Sequence, residues 1–210
     1  MLRVLVADDH PIVRTGIKQI LAEDPDVHVI GEAENGSEVI DFLLKNTCDL
    51  VLLDISMPGR SGIDVIKEVK QIYPHIAVLI LSIYPEDQYA VRALRAGASG
   101  YITKASAPDE LIKAVRKVAG GGKYISPSLA EVLAMQIDQK GAQQPHERLS
   151  DREYQVMLML AAGKTVTEVA DELFLSVKTI STYRARILEK MNMKNNAQLT
   201  VYAVENRLIE

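Results

Sequence analysis

The sequence predicts an α/β fold, a doubly wound sheet of five parallel strands, followed by a small all-α domain. Short apolar runs alternate with helical patterns five times across residues 1–122. Two of those runs, residues 50–53 and 76–81, are apolar at every position, which is typical of strands buried on both faces of a parallel sheet. Beyond residue 148 only helical patterns follow, so the second domain is predicted to be helical.

Five short runs are predicted as strands because they are rich in apolar side chains and are bounded by turn residues. They are residues 3–7, 27–33, 50–53, 76–81 and 100–103. The intervening segments carry helix start signals and apolar residues at helical spacing. The five helices are predicted to begin at Pro11, after Asn35-Gly36, at Ser61-Gly62, at Pro85-Glu86-Asp87 and at Pro108-Asp109-Glu110. The three glycines at 120–122 end the fifth helix.

The chain is predicted to divide into a first domain at 1–122, a linker with a short helix at 123–147, and a second domain at 148–210. Residues 138–148 are polar and contain glycine and proline, which is typical of a flexible linker. Ser150 and Glu153 form the pattern of a capping box at the start of the second domain. Further helices are predicted at 166–173, 177–191 and 196–206.

Composition and charge exclude several classes of protein. The single cysteine, Cys48, excludes an internal disulfide and a thiolate zinc site. The sequence has no apolar run long enough to cross a membrane and no signal-peptide pattern at Met1, so we expect a cytoplasmic protein without a membrane partner. Residues 1–146 carry 15 basic and 19 acidic side chains, and residues 147–210 carry 9 of each. Any basic surface for nucleic acid must therefore be local.

Charged and hydroxyl side chains follow four of the predicted strands. Asp8 and Asp9 follow the first, Asp54 the third, Ser82 the fourth and Lys104 the fifth. The carboxyl ends of parallel strands meet at one edge of a doubly wound sheet, so these side chains are expected to converge. Crowded carboxylates favour a hard cation such as Mg²⁺, and a lysine can bind a phosphate. The set therefore predicts phosphoryl transfer onto an aspartate.

With Met57-Pro58-Gly59 after Asp54, these residues resemble the receiver domain of bacterial two-component response regulators. The resemblance implies that Asp54 accepts a phosphoryl group from a histidine kinase. It also implies that Asp9, Asp54 and the backbone carbonyl of Ser56 ligate Mg²⁺, with Asp8 acting through water. Ser82 and Tyr101 would form a switch pair, and Lys104 would bind the phosphoryl group.

The predicted helix at 177–191 has two different faces. Ile180, Ile187 and Met191 lie on one face, while Lys178, Thr182, Ala185, Arg186 and Glu189 lie on the other. Residues 177–194 hold five basic side chains and one acidic one. A basic outer face of small residues is typical of a recognition helix in a DNA major groove, although a solvated helix face would look similar.

Residues 175–180 and 187–191 resemble the LuxR-type helix-turn-helix, so the whole chain is similar to the NarL/FixJ class of response regulators. The resemblance implies double-stranded DNA with an inverted-repeat operator as a partner, a homodimer when active, and RNA polymerase as a further candidate partner. The resemblance implies base contacts by Ser181, Thr182 and Ala185. It implies contacts to the DNA backbone by Lys178, Thr179, Tyr183 and Lys190. It also implies a dimer contact on the last helix by Leu199, Tyr202 and Ala203.

Two alternatives remain open at this point. One is a constitutive DNA-binding regulator whose first domain is never phosphorylated, although the acidic pair, Ser82 and Lys104 argue against it. The other is an aspartate-nucleophile phosphatase, which commonly needs a second Asp two residues after the nucleophile, where this chain has Ser56. We expect no enzyme activity beyond self-phosphorylation from a phosphodonor and slow self-dephosphorylation.

Overall fold

A computed structural model describes residues 1–106, 108–138, 144–206 and 208–209, with the side chains at 87 and 135–138 left out. The chain forms two compact units, residues 1–134 and 135–210. The predicted fold class is confirmed, because the first unit contains a parallel sheet flanked by helices and the second contains helices.

The sheet of the first unit has five parallel strands among the described residues, in the order β2-β1-β3-β4-β5. The strands are β1 Leu2–Ala7, β2 Val27–Ala33, β3 Leu50–Leu53, β4 Ala77–Ser82 and β5 Gly100–Thr103. The chain order reverses between β1 and β3, and this is where doubly wound sheets open a ligand crevice. Ala7 pairs with Leu53, so Asp8 and Asp54 leave neighbouring strands at the same level.

Helices cover both faces of the sheet because each of its central strands is apolar on both sides. They are α1 Pro11–Ala22, α2 Gly36–Lys45, α3 Gly62–Ile72, α4 Glu86–Ala96 and α5 Pro108–Ala119. Every residue of β3 and β4 is buried, which explains the unbroken apolar runs in the sequence. The Asn35 side chain accepts a hydrogen bond from the Glu38 amide at 3.0 Å and caps α2, as the turn signal there predicts.

Helix α3 begins directly against the segment that carries Asp54. A Cβ atom at Gly62 would lie 2.7 Å from the Ile55 Cα and 3.0 Å from the Asp54 carbonyl oxygen. Only a residue without a side chain allows this approach of helix to loop. Gly62 therefore sets the position of the loop that follows β3.

Residues 123–129, placed in the linker by the sequence, pack on the first unit. Tyr124 forms a parallel bridge with Gly100, and its hydroxyl donates to the Glu110 carboxylate at 2.7 Å. Helix α6 then spans Pro127–Asp138, close to the predicted helix. The polar linker predicted at 138–148 includes residues 139–143, which lie outside the described residues.

The second unit contains helices α7 Asp151–Ala161, α8 Val166–Glu172, α9 Val177–Lys190 and α10 Asn196–Glu205. The predicted capping box is present, since Ser150 accepts from the Glu153 amide and Glu153 accepts from the Ser150 amide. Residues Pro145–Arg148, which the sequence assigned largely to the linker, form a short 3₁₀ helix. The His146 ring lies 5.9 Å from those of Tyr154 and Tyr202, so this segment packs within the second unit.

Candidate functional site: an acidic phosphoacceptor pocket and a helix-turn-helix

Asp54 and Asp8 are buried side by side where β3 and β1 end. Asp8 is 1% exposed and Asp54 is 2% exposed. Lys104, which follows β5, brings its Nζ atom to 2.7 Å from Asp54 Oδ2 and 2.6 Å from Asp8 Oδ2. The structure thus brings together the predicted phosphoacceptor, one predicted metal ligand and the predicted phosphate-binding lysine.

Asp9 and His10 complete the acidic cluster. Asp8, Asp9, His10 and Asp54 each offer an atom within 4.8 Å of the others. His10 Nδ1 lies 2.9 Å from Asp9 Oδ1, and the His10 amide donates to Asp8 Oδ1 at 2.9 Å. Sequence reasoning missed His10, although its place directly after the acidic pair was the available signal.

The charges of this pocket do not balance without a further cation. Burial raises the pKa of Asp54, although the Lys104 ammonium opposes this. Burial alone would lower the pKa of Lys104, but the Asp54 and Asp8 carboxylates outweigh it and raise that pKa. Lys104 contacts two of the three carboxylates, those of Asp54 and Asp8, and carboxylate oxygens are the ligands that Mg²⁺ prefers. The donor set therefore fits a hard divalent cation.

Ser56 borders the same pocket. Its amide donates to Asp54 Oδ1 at 3.1 Å and fixes the orientation of that carboxylate. Its hydroxyl is buried and has no hydrogen-bond partner in the part of the chain that the structure describes.

Arg14 binds the backbone of the loop that carries Asp8 and Asp9, a contact that sequence reasoning missed. Its guanidinium donates to the Asp8 carbonyl oxygen at 2.7 Å, to Glu34 at 2.6 Å and to Glu32 at 3.0 Å. Burial would lower the pKa of Arg14, but the two glutamates raise it, so the side chain stays charged. Its position on a helix among apolar neighbours gave no sign that it faces inward.

Ser82 and Tyr101, the predicted switch pair, both form hydrogen bonds with the backbone of Tyr84 in the loop that follows β4. Ser82 is fully buried and its hydroxyl oxygen accepts from the Tyr84 amide at 3.2 Å. The Tyr101 ring is also fully buried, and its hydroxyl donates to the Tyr84 carbonyl at 2.8 Å. Burial raises the pKa of the Tyr101 phenol, so it remains a donor.

Helix α9 presents the predicted polar face to the solvent. Ile180, Ile187 and Met191 are buried in the second unit, as their spacing predicts. Of the predicted DNA contacts, Lys178, Ser181, Thr182, Ala185 and Arg186 are exposed, and Thr179 and Tyr183 are half-buried. The Thr182 hydroxyl donates to the Lys178 carbonyl at 2.9 Å, which leaves its methyl group and oxygen lone pairs for a partner.

Lys190 has a partner within its own domain, which weakens its predicted assignment to a DNA phosphate. Its Nζ lies 2.6 Å from Glu153 Oε2, and Glu153 is buried. Burial would raise the pKa of Glu153, but hydrogen bonds from Lys190 and Ser150 outweigh it and lower that pKa. Lys190 is therefore paired with a carboxylate of its own domain, while its side chain stays 42% exposed.

The predicted dimer contact on α10 is wrong for Leu199 and Ala203. Leu199 and Ala203 are fully buried inside the second unit, so they cannot touch a second copy of the folded domain. The Tyr202 hydroxyl lies 2.8 Å from His146 Nδ1 and is half-buried. The large apolar side chains that α10 exposes are instead Val201 and Val204. Both faces of this helix are apolar, and spacing alone did not distinguish them.

None of the described helices is long and apolar enough to span a membrane.

Residues 4–116 match the family described as response regulator receiver domain, and residues 147–203 match the bacterial regulatory proteins of the luxR family.

Curated proteins of similar sequence match along almost their whole length. The response regulator GacA of Pseudomonas protegens is 38% identical over 210 residues, which covers 100% of this chain and 99% of GacA. The response regulator UvrY of Escherichia coli is 35% identical over 99% of this chain and 96% of UvrY.

Solved structures of RcsB from Salmonella are similar in sequence and fold. A Salmonella typhimurium RcsB structure has a TM-score of 0.63 at 31% identity, covering 97% of this chain and 100% of RcsB. Another, of two RcsB dimers bound to DNA, has a TM-score of 0.60 at 31% identity over 97% of this chain and 98% of RcsB. With its receiver domain and LuxR-type DNA-binding domain, this chain belongs to the NarL/FixJ class of response regulators.

Proposed function

We propose that Asp54 accepts a phosphoryl group from a sensor histidine kinase, and that this modification controls dimerisation and sequence-specific DNA binding to regulate transcription. The observation that carries the proposal is the contact of Lys104 with buried Asp54 beside two further carboxylates. A structural ion pair needs one carboxylate for one lysine. A cluster with excess negative charge instead suits the recruitment of a cation and a phosphoryl group.

The transfer follows from the positions of three side chains. An Asp54 carboxylate oxygen forms the new bond to phosphorus, while the bond from phosphorus to the histidine nitrogen of the kinase breaks and that nitrogen keeps the electron pair. Lys104, 2.7 Å from Asp54, offsets the charge of the phosphoryl oxygens. Ser82, which ends the strand beside β3, offers a hydroxyl donor to the same group.

Asp8, Asp9 and Asp54 are the residues that would hold Mg²⁺, with the Ser56 backbone carbonyl as a further ligand. When bound there, Mg²⁺ offsets the repulsion between the carboxylates and the incoming phosphoryl oxygens. His10 lies next to Asp9 and can accept or donate a hydrogen bond at the mouth of the pocket.

The direct test is phosphorylation by acetyl phosphate with Mg²⁺, followed by intact mass. Wild type is expected to gain one phosphoryl group and Asp54→Asn none, because the amide is not a nucleophile. Asp64→Asn, an exposed aspartate on α3, is the matched control and should behave as wild type. Chelation of Mg²⁺ or Asp9→Ala should slow the gain. An equal gain in Asp54→Asn and wild type would overturn the assignment.

The protein should not turn over an external substrate. The residue two positions after the nucleophile is Ser56, whose hydroxyl cannot supply the proton of a general acid at neutral pH. We therefore infer only slow loss of its own phosphoryl group. A regulator that meets both a kinase domain and DNA works in the cytoplasm, where we place this protein.

DNA binding is assigned to the exposed face of α9 in the major groove. The face carries Lys178 and Arg186 around the small side chains Ser181, Thr182 and Ala185, while Thr179 and Tyr183 sit beside it. The related RcsB structure with DNA supports this class of partner. An inverted-repeat operator would match a two-fold dimer, and RNA polymerase is a further proposed partner.

Two residues of α9 are expected to contribute differently to DNA binding. Lys178→Ala should weaken binding to all sequences alike and lower the salt slope by about one unit, because Lys178 is exposed and positioned for a phosphate. Thr182→Ala should instead cost roughly 1–3 kcal/mol on the cognate site alone. The measurement is a titration with a duplex selected from a random pool, and with its scrambled form, at two salt concentrations. Equal losses on both duplexes for Thr182→Ala would mean that Thr182 does not read a base.

Dimerisation is assigned to α10 through its exposed apolar side chains rather than through its buried ones. Val201 and Val204 lie three residues apart, so they share one face of the helix. Leu199 and Ala203 support this face from inside the domain, and Tyr202 borders it.

A further inference from the structure

Glu86, in the first turn of α4, is bound by two serines at the start of α6. Ser126 Oγ and Ser128 Oγ each donate to Glu86 Oε2 at 2.5 Å. Hydrogen bonds from hydroxyls to a carboxylate are short and about twice as strong as those between neutral groups. We call Glu86, Ser126 and Ser128 the serine latch.

The latch fixes the first turn of α6. The Leu129 amide donates to Ser126 Oγ at 3.0 Å, and the Ala130 amide donates to the Ser126 carbonyl at 3.0 Å. Ser126 is itself buried, and Leu129 is fully buried. The residue that caps α6 is thus the same residue that Glu86 holds, so the position of Glu86 sets the position of this helix end.

The same loop also carries the contacts of the Ser82–Tyr101 pair. The Tyr84 amide donates to Ser82 Oγ, and the Tyr101 hydroxyl donates to the Tyr84 carbonyl. Glu86 follows Tyr84 by two residues. If the Ser82 hydroxyl turns toward a phosphoryl group on Asp54, its oxygen moves away from the Tyr84 amide. A buried or half-buried amide that loses its acceptor is costly, so the loop at residues 83–86 must shift to restore one.

We propose that Glu86 is a positioning residue that couples the phosphoacceptor pocket to α6. With Asp54 unmodified, the serine latch holds the first turn of α6 on α4. Phosphorylation shifts the loop after β4, opens the latch and loosens α6, the helix that precedes the DNA-binding domain along the chain. This inference rests on the proposed function, since it needs a phosphoryl group on Asp54.

Hydrogen exchange of the full-length protein tests the latch without reference to DNA. In the unphosphorylated state, Glu86→Ala should raise the exchange of the amides at 129–134 about ten-fold, because two hydrogen bonds to a charged acceptor are lost. Wild type should show a rise of the same kind only after treatment with acetyl phosphate and Mg²⁺. Glu86→Gln keeps an acceptor oxygen, so its exchange at 129–134 should lie between those of unphosphorylated wild type and Glu86→Ala. Asp109→Ala, which removes an acid from the first turn of α5, is the matched control and should change nothing at 129–134.

DNA affinity provides the second readout. Unphosphorylated Glu86→Ala should bind the selected duplex more tightly than unphosphorylated wild type. The increase in DNA affinity on phosphorylation should therefore be at least three-fold smaller in Glu86→Ala than in wild type. Its uptake of one phosphoryl group should be unchanged, since Glu86 is not in the pocket. If wild type takes up no phosphoryl group, or binds DNA equally in both states, the proposed function itself fails. If wild type shows both changes, but Glu86→Ala keeps wild-type exchange at 129–134 or the full gain in affinity, the latch is overturned.

Discussion

Gly62→Ala is expected to destabilise the first domain by about 1–3 kcal/mol, which is the range for overpacking a closely packed site. The added Cβ would lie 2.7 Å from the Ile55 Cα and close to two backbone carbonyl oxygens, so a main chain would have to move rather than a flexible side chain. The segment that must move carries Asp54. Phosphoryl uptake from acetyl phosphate should therefore slow in the same variant. Urea unfolding at constant Mg²⁺ measures the stability change.

Gly16→Ala is the matched control, because it makes the same substitution in a helix with open space around it. Nothing lies within 4 Å of a Cβ built at Gly16, and α1 is helical there. Alanine should stabilise that helix by about 0.5–1 kcal/mol. The two substitutions thus have opposite expected signs. If Gly62→Ala also stabilised the protein, the close approach of α3 to the Asp54 loop would be wrong.

Lys190→Ala is expected to destabilise the second domain by about 1–2 kcal/mol. Removal of the lysine leaves the buried Glu153 carboxylate with Ser150 as its remaining partner. A fully buried pair would cost about 3–5 kcal/mol to break, but the Lys190 side chain is 42% exposed, so water replaces part of the interaction. Thermal unfolding at neutral pH should show the loss. DNA affinity of the remaining folded protein should fall less than in Lys178→Ala.

The pH dependence of unfolding gives an independent check of the Lys190–Glu153 pair. The folded protein holds the pKa of Glu153 below its ordinary value, so this group adds stability above its unfolded pKa, about 4.3. That contribution is lost as the pH falls through the lower, folded pKa. Lys190→Ala should therefore lose less stability than wild type on acidification. Equal acid sensitivity in Lys190→Ala and wild type would contradict the pairing.

The elements of the fold were predictable from local patterns. The predicted strand at 76–81 is observed as Ala77–Ser82, and the one at 3–7 as Leu2–Ala7. Runs that are buried on both faces leave an unbroken apolar signal, and the cap residues mark where helices begin. The convergence of Asp8, Asp54 and Lys104 was also predictable, because parallel strands bring their carboxyl ends to one edge.

Contacts between distant residues were not predictable from spacing. Lys190 and Glu153 are 37 residues apart, and a lysine on a polar helix face gives no sign of a buried partner. On α10 the set Leu199, Tyr202 and Ala203 has helical spacing, but the opposite set with Val201 and Val204 is apolar as well. Which face turns inward depends on packing against α7, and periodicity alone does not decide it.

A comparison of DNA affinity before and after phosphorylation tests the proposed function most directly. Wild type and Asp54→Asn are titrated with the same selected duplex at one salt concentration, with Mg²⁺ and with or without acetyl phosphate. We expect acetyl phosphate to increase the DNA affinity of wild type and to leave that of Asp54→Asn at the unphosphorylated level. Equal affinities for phosphorylated and unphosphorylated wild type, with phosphorylation verified by intact mass, would contradict it and favour a constitutive DNA-binding regulator.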